Sequence, residues 1–304
     1  MKSFEGRERR GEKRGKTFRY DFEYCTEDDI FFDYCLWEYR PVASHKDKFR
    51  SINILYHSLD LMDIDERFLG LIRAIREGMG CSQTVWGLKR VGNKIGCELY
   101  FYDYRRRERE RSITRFIDVI KPFIICDMKV NEKLHYFMFS VDITGDHMRG
   151  TSDLDEIHMY IGNPGSTVSS GICYSLTAEE TKLENFYFFF DAQKQRDDIV
   201  AKVVCSAHID FTEHGIDSIL WPELRNCGVI VVANKQKNDA IYFSHINVDQ
   251  FIFFLKQMNY PRELSSFVEE NRDKLDHLQY DVGFDYRQEG KDIKIVKSGF
   301  YGVF

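Results

Sequence analysis

The sequence predicts an α+β fold: a ten-stranded antiparallel β-barrel surrounded by helices, built from repeated α-β-β-α units. Three observations predict it. Ten strand-like segments fall into five consecutive antiparallel pairs. Several of them alternate with a period of 2, apolar on one face and carrying Tyr, His, Asn, Ser or Asp on the other. Segments with helical spacing lie mostly between the pairs, and a sheet with one apolar face needs a helical layer to cover it. At 43% hydrophobic and 15% aromatic, the 304 residues hold ample material for such a core.

Residues 1–16 are rich in Arg, Lys, Glu and Gly, with almost nothing apolar to bury. They predict a disordered basic tail ahead of one domain over residues 17–304. From Phe18 the chain turns apolar, and Tyr20-Asp-Phe-Glu-Tyr24 and Phe31-Phe-Asp-Tyr-Cys-Leu-Trp37 predict short ordered elements. Asp28-Asp-Ile-Phe-Phe-Asp33 is one residue too long for the aspartate-rich DDxxD magnesium motif and reads as surface acids. Helical spacing follows at 49–58 and at 64–77, where Phe68, Leu71, Ile72 and Ile75 form a stripe ending at Gly78 and Gly80.

The clearest hairpin joins Thr84-Val-Trp-Gly-Leu-Lys-Arg90 to Ile95-Gly-Cys-Glu-Leu-Tyr-Phe-Tyr-Asp-Tyr104 across a Gly-Asn turn. Its second strand puts Glu98, Tyr100, Tyr102 and Tyr104 on one face and Leu99 and Phe101 on the other. The mixed charges of Arg105-Arg-Arg-Glu-Arg-Glu-Arg111 fit the solvated start of a helix running to Pro122, with a phosphate-binding cluster as the functional alternative. Four strands follow at 134–144, 156–162, 171–177 and 184–191. His158 and Tyr160 oppose Ile157, Met159 and Ile161, while Asn185, Tyr187 and Asp191 oppose Phe186, Phe188 and Phe190. A helix at 193–207 and a weaker one at 216–224 lead to strands at 228–234 and 240–246. Helices at 248–258 and 262–275 then precede the last pair, 278–286 with 292–298.

Net charge of −6 and a pI near 5.9 argue against a nucleic-acid partner. No apolar run reaches the roughly 18 residues of a membrane span. The first ten residues lack the apolar core of a signal peptide, so the expected location is cytoplasmic. Eight cysteines without a C-x-x-C pair, and nine histidines without metal-ligand spacing, predict buried thiols and no protein-held metal.

Ten strands closing on themselves leave a wider lumen than the eight-stranded barrel that side chains just fill. The polar aromatic face would line it. The open alternative is an α+β sheet of two halves.

In the order of its elements over residues 51–304, in length, and in hairpins such as Gly96-Cys-Glu-Leu-Tyr-Phe-Tyr-Asp-Tyr104 and Val282-Gly-Phe-Asp-Tyr286 with Lys294-Ile-Val-Lys297, the chain resembles the aromatic prenyltransferases of the ABBA, or PT-barrel, type. The resemblance is architectural. It implies lumen Lys and Arg gripping an allylic isoprenoid diphosphate, a ring of tyrosines shielding the carbocation, and an aromatic small molecule or peptide side chain as acceptor. Magnesium is the implied cofactor, entering through the diphosphate.

Ionising an allylic diphosphate puts negative charge on the leaving group, which preorganised cations or magnesium must stabilise. Strand parity nominates Lys89 and Lys294 for that work, with Lys235 and Arg287 at hairpin ends as mouth residues. Tyr100, Tyr102, Tyr160, Tyr174, Tyr187 and Tyr242 are the candidates to face the cation. Glu98, on the Tyr100 face, is the candidate general base for the proton lost on rearomatisation. Two other readings stand beside this one. The first is a non-catalytic small-molecule-binding or interaction protein on the same barrel. The second is an enzyme on an open sheet with His158 or His245 as acid/base.

Overall fold

The computed structural model describes residues 20–29, 32–34, 37–62, 66–81, 83–92, 94–103, 109 and 111–304. The tail predicted for residues 1–16, and residues 105–108 and 110 of the arginine-rich run, lie outside them. A short N-terminal hairpin, β1 (Phe32–Tyr34) with β2 (Trp37–Tyr39), stands apart from the main sheet. Ten further strands make that sheet: β3 (Thr84–Val91), β4 (Lys94–Tyr102), β5 (Tyr136–Ile143), β6 (Ile157–Gly162), β7 (Ser169–Leu176), β8 (Thr181–Asp191), β9 (Val229–Lys235), β10 (Asp239–Ile246), β11 (Tyr280–Glu289) and β12 (Asp292–Val303). Each pairs antiparallel with its neighbours in sequence, and β12 pairs with β3 to close the barrel. The open-sheet alternative is thereby overturned.

Among the described residues eight helices surround the barrel: α1 (Ile52–Leu61), α2 (Glu66–Met79), α3 (Ile113–Ile120), α4 (Gly145–Arg149), α5 (Arg196–Val204), α6 (Val248–Gln257), α7 (Arg262–Glu270) and α8 (Arg272–Leu275). None of the described helices is long and apolar enough to cross a membrane. The helix expected to begin within residues 105–111 starts at Ile113, and side chains cap the heads of α3 and α6. Ser112 accepts from the Arg115 amide at the head of α3, and Asn247 forms a capping box with Gln250 at the head of α6.

The helices cover the apolar face of the sheet. Leu99 and Phe101 are fully buried, and the Phe101 ring lies 5.0 Å from Phe116 of α3 and 4.9 Å from Phe139 of β5. Phe251 of α6 stacks on Tyr280 at 4.4 Å. Trp221 stacks on Phe284 at 4.6 Å. Side chains of this size contribute about 1.5–3 kcal/mol each when withdrawn from water, so this outer core holds the ring against its helices.

The short helix α4 has no counterpart among the expected elements, and three further elements depart from expectation. The stretch 216–224 is two 3₁₀ turns, Ile216–Ser218 and Pro222–Leu224, because Pro222 has no amide hydrogen to extend a helix through. The helix expected over 262–275 breaks at Asn271 into α7 and α8. The last strand runs on to Val303, five residues past its expected end.

The barrel has two unlike ends. The turns β3–β4, β7–β8, β9–β10 and β11–β12 lie at one, the hairpin end; the connections carrying α3, α5 and α6 to α8 lie at the other, the helix end. The β1–β2 hairpin sits at the helix end, where the Tyr39 hydroxyl accepts from the Gln279 amide at 3.0 Å and its ring lies 5.8 Å from that of His245. At the hairpin end, β11 and β12 outrun their neighbours. Arg287–Glu289 and Asp292–Lys294 pair with each other and with no other described strand, and project beyond the ring.

Candidate functional site in the barrel lumen

Five tyrosines line the middle of the lumen, one from every second strand: Tyr100 of β4, Tyr160 of β6, Tyr187 of β8, Tyr242 of β10 and Tyr301 of β12. Their rings form a continuous arc. Successive centroids from Tyr301 through Tyr100, Tyr160 and Tyr187 to Tyr242 are 5.7, 6.2, 5.8 and 6.4 Å apart. The intervening strands offer small residues in register, with Gly87 opposite Tyr301, Ser140 opposite Tyr100, Cys173 opposite Tyr160, Gly171 opposite Tyr187 and Gly283 opposite Tyr242. This alternation of large and small is how ten strands seat five bulky rings at one level. At Gly87 and Gly283 it is obligatory, because a Cβ there would lie 2.4 Å from Tyr301 Cδ1 and 2.2 Å from Tyr242 Cδ1.

Burial pushes the hydroxyls of Tyr100, Tyr160, Tyr187 and Tyr242 well above the ordinary phenol value. The arc therefore stays neutral, and its ring faces attract cations without supplying a charge that would react with them.

Beside the arc, toward the hairpin end, three lysines and three carboxylates converge. Lys89 Nζ lies 2.6 Å from Asp142 and 3.2 Å from Glu98. Lys235 Nζ lies 2.8 Å from Asp285 and 3.5 Å from the Tyr242 hydroxyl. Lys297 Nζ comes only to 3.8 Å of Asp285. Burial opposes the charge on Lys89 and Lys235, but the carboxylates outweigh it and both are held above the ordinary lysine value. Burial likewise opposes the charge on Glu98, and Lys89, Lys297 and His158 overcome it to hold that carboxyl low. Glu98 also accepts from the Tyr301 hydroxyl at 3.3 Å, which ties the charged cluster to the arc.

Toward the helix end the lumen holds a cavity of about 90 Å³, lined chiefly by the arc with Phe137, Phe189 and Val231. Its polar floor is Asp281, which accepts from Ser244 Oγ at 2.6 Å and from the His245 amide at 3.1 Å. Burial raises the Asp281 carboxyl, only partly offset by His245 and Ser244.

Of the residues nominated from sequence, the structure brings Lys89, Lys235, Glu98, Tyr100, Tyr160, Tyr187 and Tyr242 together in the lumen. Tyr102 shares their face and is buried opposite Met138. Three others fall elsewhere. Tyr174 pairs with Met159 on the outer face of the sheet, so it does not belong to the arc. Lys294 and Arg287 oppose each other in the lumen phase but on the projecting hairpin; Lys294 is 54% exposed and both bind Glu289. Parity placed Lys294 in the lumen phase and could not show that the strand had left the ring.

Reasoning from sequence missed Lys297, Tyr301, Asp142, Asp281 and Asp285. A β-bulge between Lys297 and Ile295 resets the phase of β12, which turns Lys297 inward. Arg109, one of two described members of the arginine-rich run, donates to the carbonyls of Glu132, Leu134 and Tyr136 and stacks 3.8 Å over the Tyr136 ring. Its guanidinium is thus committed to the chain itself. Among the described residues no three His, Cys, Asp or Glu side chains are arranged to hold a metal ion.

No established family model matches the chain, and no curated protein does. The closed ten-stranded antiparallel barrel is compatible with the PT-barrel architecture.

Proposed function

We propose that the lumen receives an allylic isoprenoid diphosphate and passes its prenyl group to an aromatic acceptor. The observation that carries this reading is the meeting of Lys89, Lys235 and Lys297 with the five-tyrosine arc in one lumen. Departure of the diphosphate concentrates negative charge, which fixed ammonium groups stabilise in the transition state. The allylic cation left behind lies against neutral phenol faces, which attract it.

Glu98 is the base in this scheme. With Lys89 at 3.2 Å its proton affinity is low. A diphosphate that draws Lys89 toward itself raises that affinity, so the carboxylate becomes able to take the acceptor's proton after the donor has bound. The carboxylates at the hairpin end of the lumen are matched to lysines and offer no open oxygen cage, so magnesium would enter with the diphosphate and no step is routed through it.

The cavity of about 90 Å³ has room for roughly three waters at about 30 Å³ each, so the five-carbon donor needs the least rearrangement. Calorimetry against allylic diphosphates of five, ten and fifteen carbons, with and without magnesium, tests the reading. Binding strongest for five carbons and weakened in Lys89→Met supports it, with a rise in melting temperature by linkage. The small cavity and the cancelling charges favour a second reading, a filled barrel that binds or interacts without catalysis. No binding of any of the three donors would establish that one.

A further inference from the structure

The three lumen lysines are not equivalent. Lys89 has two carboxylates within 3.2 Å and Lys235 has one at 2.8 Å, whereas Lys297 stands beyond hydrogen-bond distance of its nearest, Asp285, at 3.8 Å. Asp285 is already engaged by Lys235 and by the Asn238 amide at 3.0 Å. A third proton at this place is opposed by burial and by two neighbouring cations. The Lys297 side chain nevertheless remains 24% exposed.

We propose that the Lys297 amine is a nucleophile that condenses with small aldehydes in the hairpin end of the lumen to give an imine. A lysine desolvated beside another cation is a recognised way of making a reactive amine. The nitrogen lone pair forms a bond to the carbonyl carbon as the C=O π bond breaks, and the oxygen takes a proton. The carbinolamine then expels that oxygen as water while nitrogen gives up its protons, so amine and aldehyde yield imine and water with no change of oxidation state. The proposal gives a second role to one of the three lysines of the prenyl-transfer reading, and its test needs no prenyl donor.

The groups facing Lys297 are Lys235, Asp285, Lys89 and Glu98, with Asp142 behind Lys89. Burial and then Lys235 push its amine down to about 8. That leaves roughly a quarter of it neutral at pH 7.5, against about 0.1% of an ordinary lysine near 10.4. Trapping with benzaldehyde and cyanoborohydride, followed by peptide mapping, should therefore mark Lys297 at least about tenfold faster than the exposed Lys294, with a pH midpoint near 8.

Lys235→Met removes the opposing cation and frees Asp285, so labelling should slow about fivefold or more and its midpoint should rise. Asp285→Asn should move both the other way. An amine that is merely exposed would respond to neither change. Labelling of Lys297 in the unmodified protein no faster than of Lys294 overturns the proposal, whatever the variants do.

Discussion

The two ends of the lumen handle buried charge in opposite ways. At the hairpin end, Lys89, Lys235 and Lys297 face Glu98, Asp142 and Asp285, so six formal charges cancel within one cluster. At the helix end Asp281 has a serine hydroxyl, a backbone amide and the nearby His245, with no lysine partner among the described residues and an apolar cavity in front. The first arrangement makes every member depend on another. The second makes one carboxyl resist ionisation. The tyrosine arc lies between these environments and keeps them apart.

The sharpest way to break the comparison is to remove one partner at the charged end. Lys89→Met should cost about 3–5 kcal/mol in urea unfolding, because it leaves Glu98 buried without its cation. Adding Glu98→Gln should restore most of that loss, since a neutral amide needs no counter-charge. A double variant as unstable as the single one would show that packing, not charge, holds this end.

A middle-sized effect separates the ends by pH. Glu98 and Asp285 are held below the ordinary carboxyl range in the fold, so their contribution is present above the unfolded value near 4 and is lost as pH falls through the folded one. Asp281 is raised, so its contribution is present below about 4 and is lost as pH rises through the folded value. Melting curves from pH 3 to 7 should show Asp281→Asn gaining on the wild type as pH increases. Parallel curves would remove the contrast.

The smallest effect belongs to a lysine beyond both ends. Lys294→Met should change unfolding free energy by no more than about 0.5 kcal/mol, because its partner Glu289 is exposed and solvent screens the pair. It should also leave diphosphate binding unchanged, in contrast with Lys89→Met. A loss of binding in calorimetry would place the projecting hairpin at the site.

The ring was legible because period-2 alternation is enforced wherever one face of a strand meets helices and the other a lumen. Leu99 and Phe101 against Tyr100 and Tyr102 are the clearest instance. Tyr174 shows how residue type misleads where phase is decisive, since it shares its face with Ile172 and Leu176 and points outward with them. Lys297 was hidden by a bulge, which no alternation rule detects. Tyr301 lay past the expected end of the last strand at 298. Gly302 is there because a Cβ would lie 2.3 Å from Trp86 Cζ2 and 2.2 Å from Ser51 Oγ, so the glycine marks tight packing inside a strand. Asp142, Asp281 and Asp285 carried no local signal at all; only the closed ring brings them to face lysines and a cavity.

Barrel closure also bears on how fast this protein reaches its native state. Nine seams of the ring join strands adjacent in sequence, but the tenth joins β3 to β12, and its Trp86 indole donates to the Val303 carbonyl across 217 residues. Local seams form early because their loops are short, while the last carries the entropy of closing nearly the whole sheet. Until it forms, β3 and β12 are open edges ready to pair with the same edges of another molecule. Refolding yield should therefore fall with protein concentration, and the slowest phase should be the one in which the Trp86 fluorescence reaches its native value.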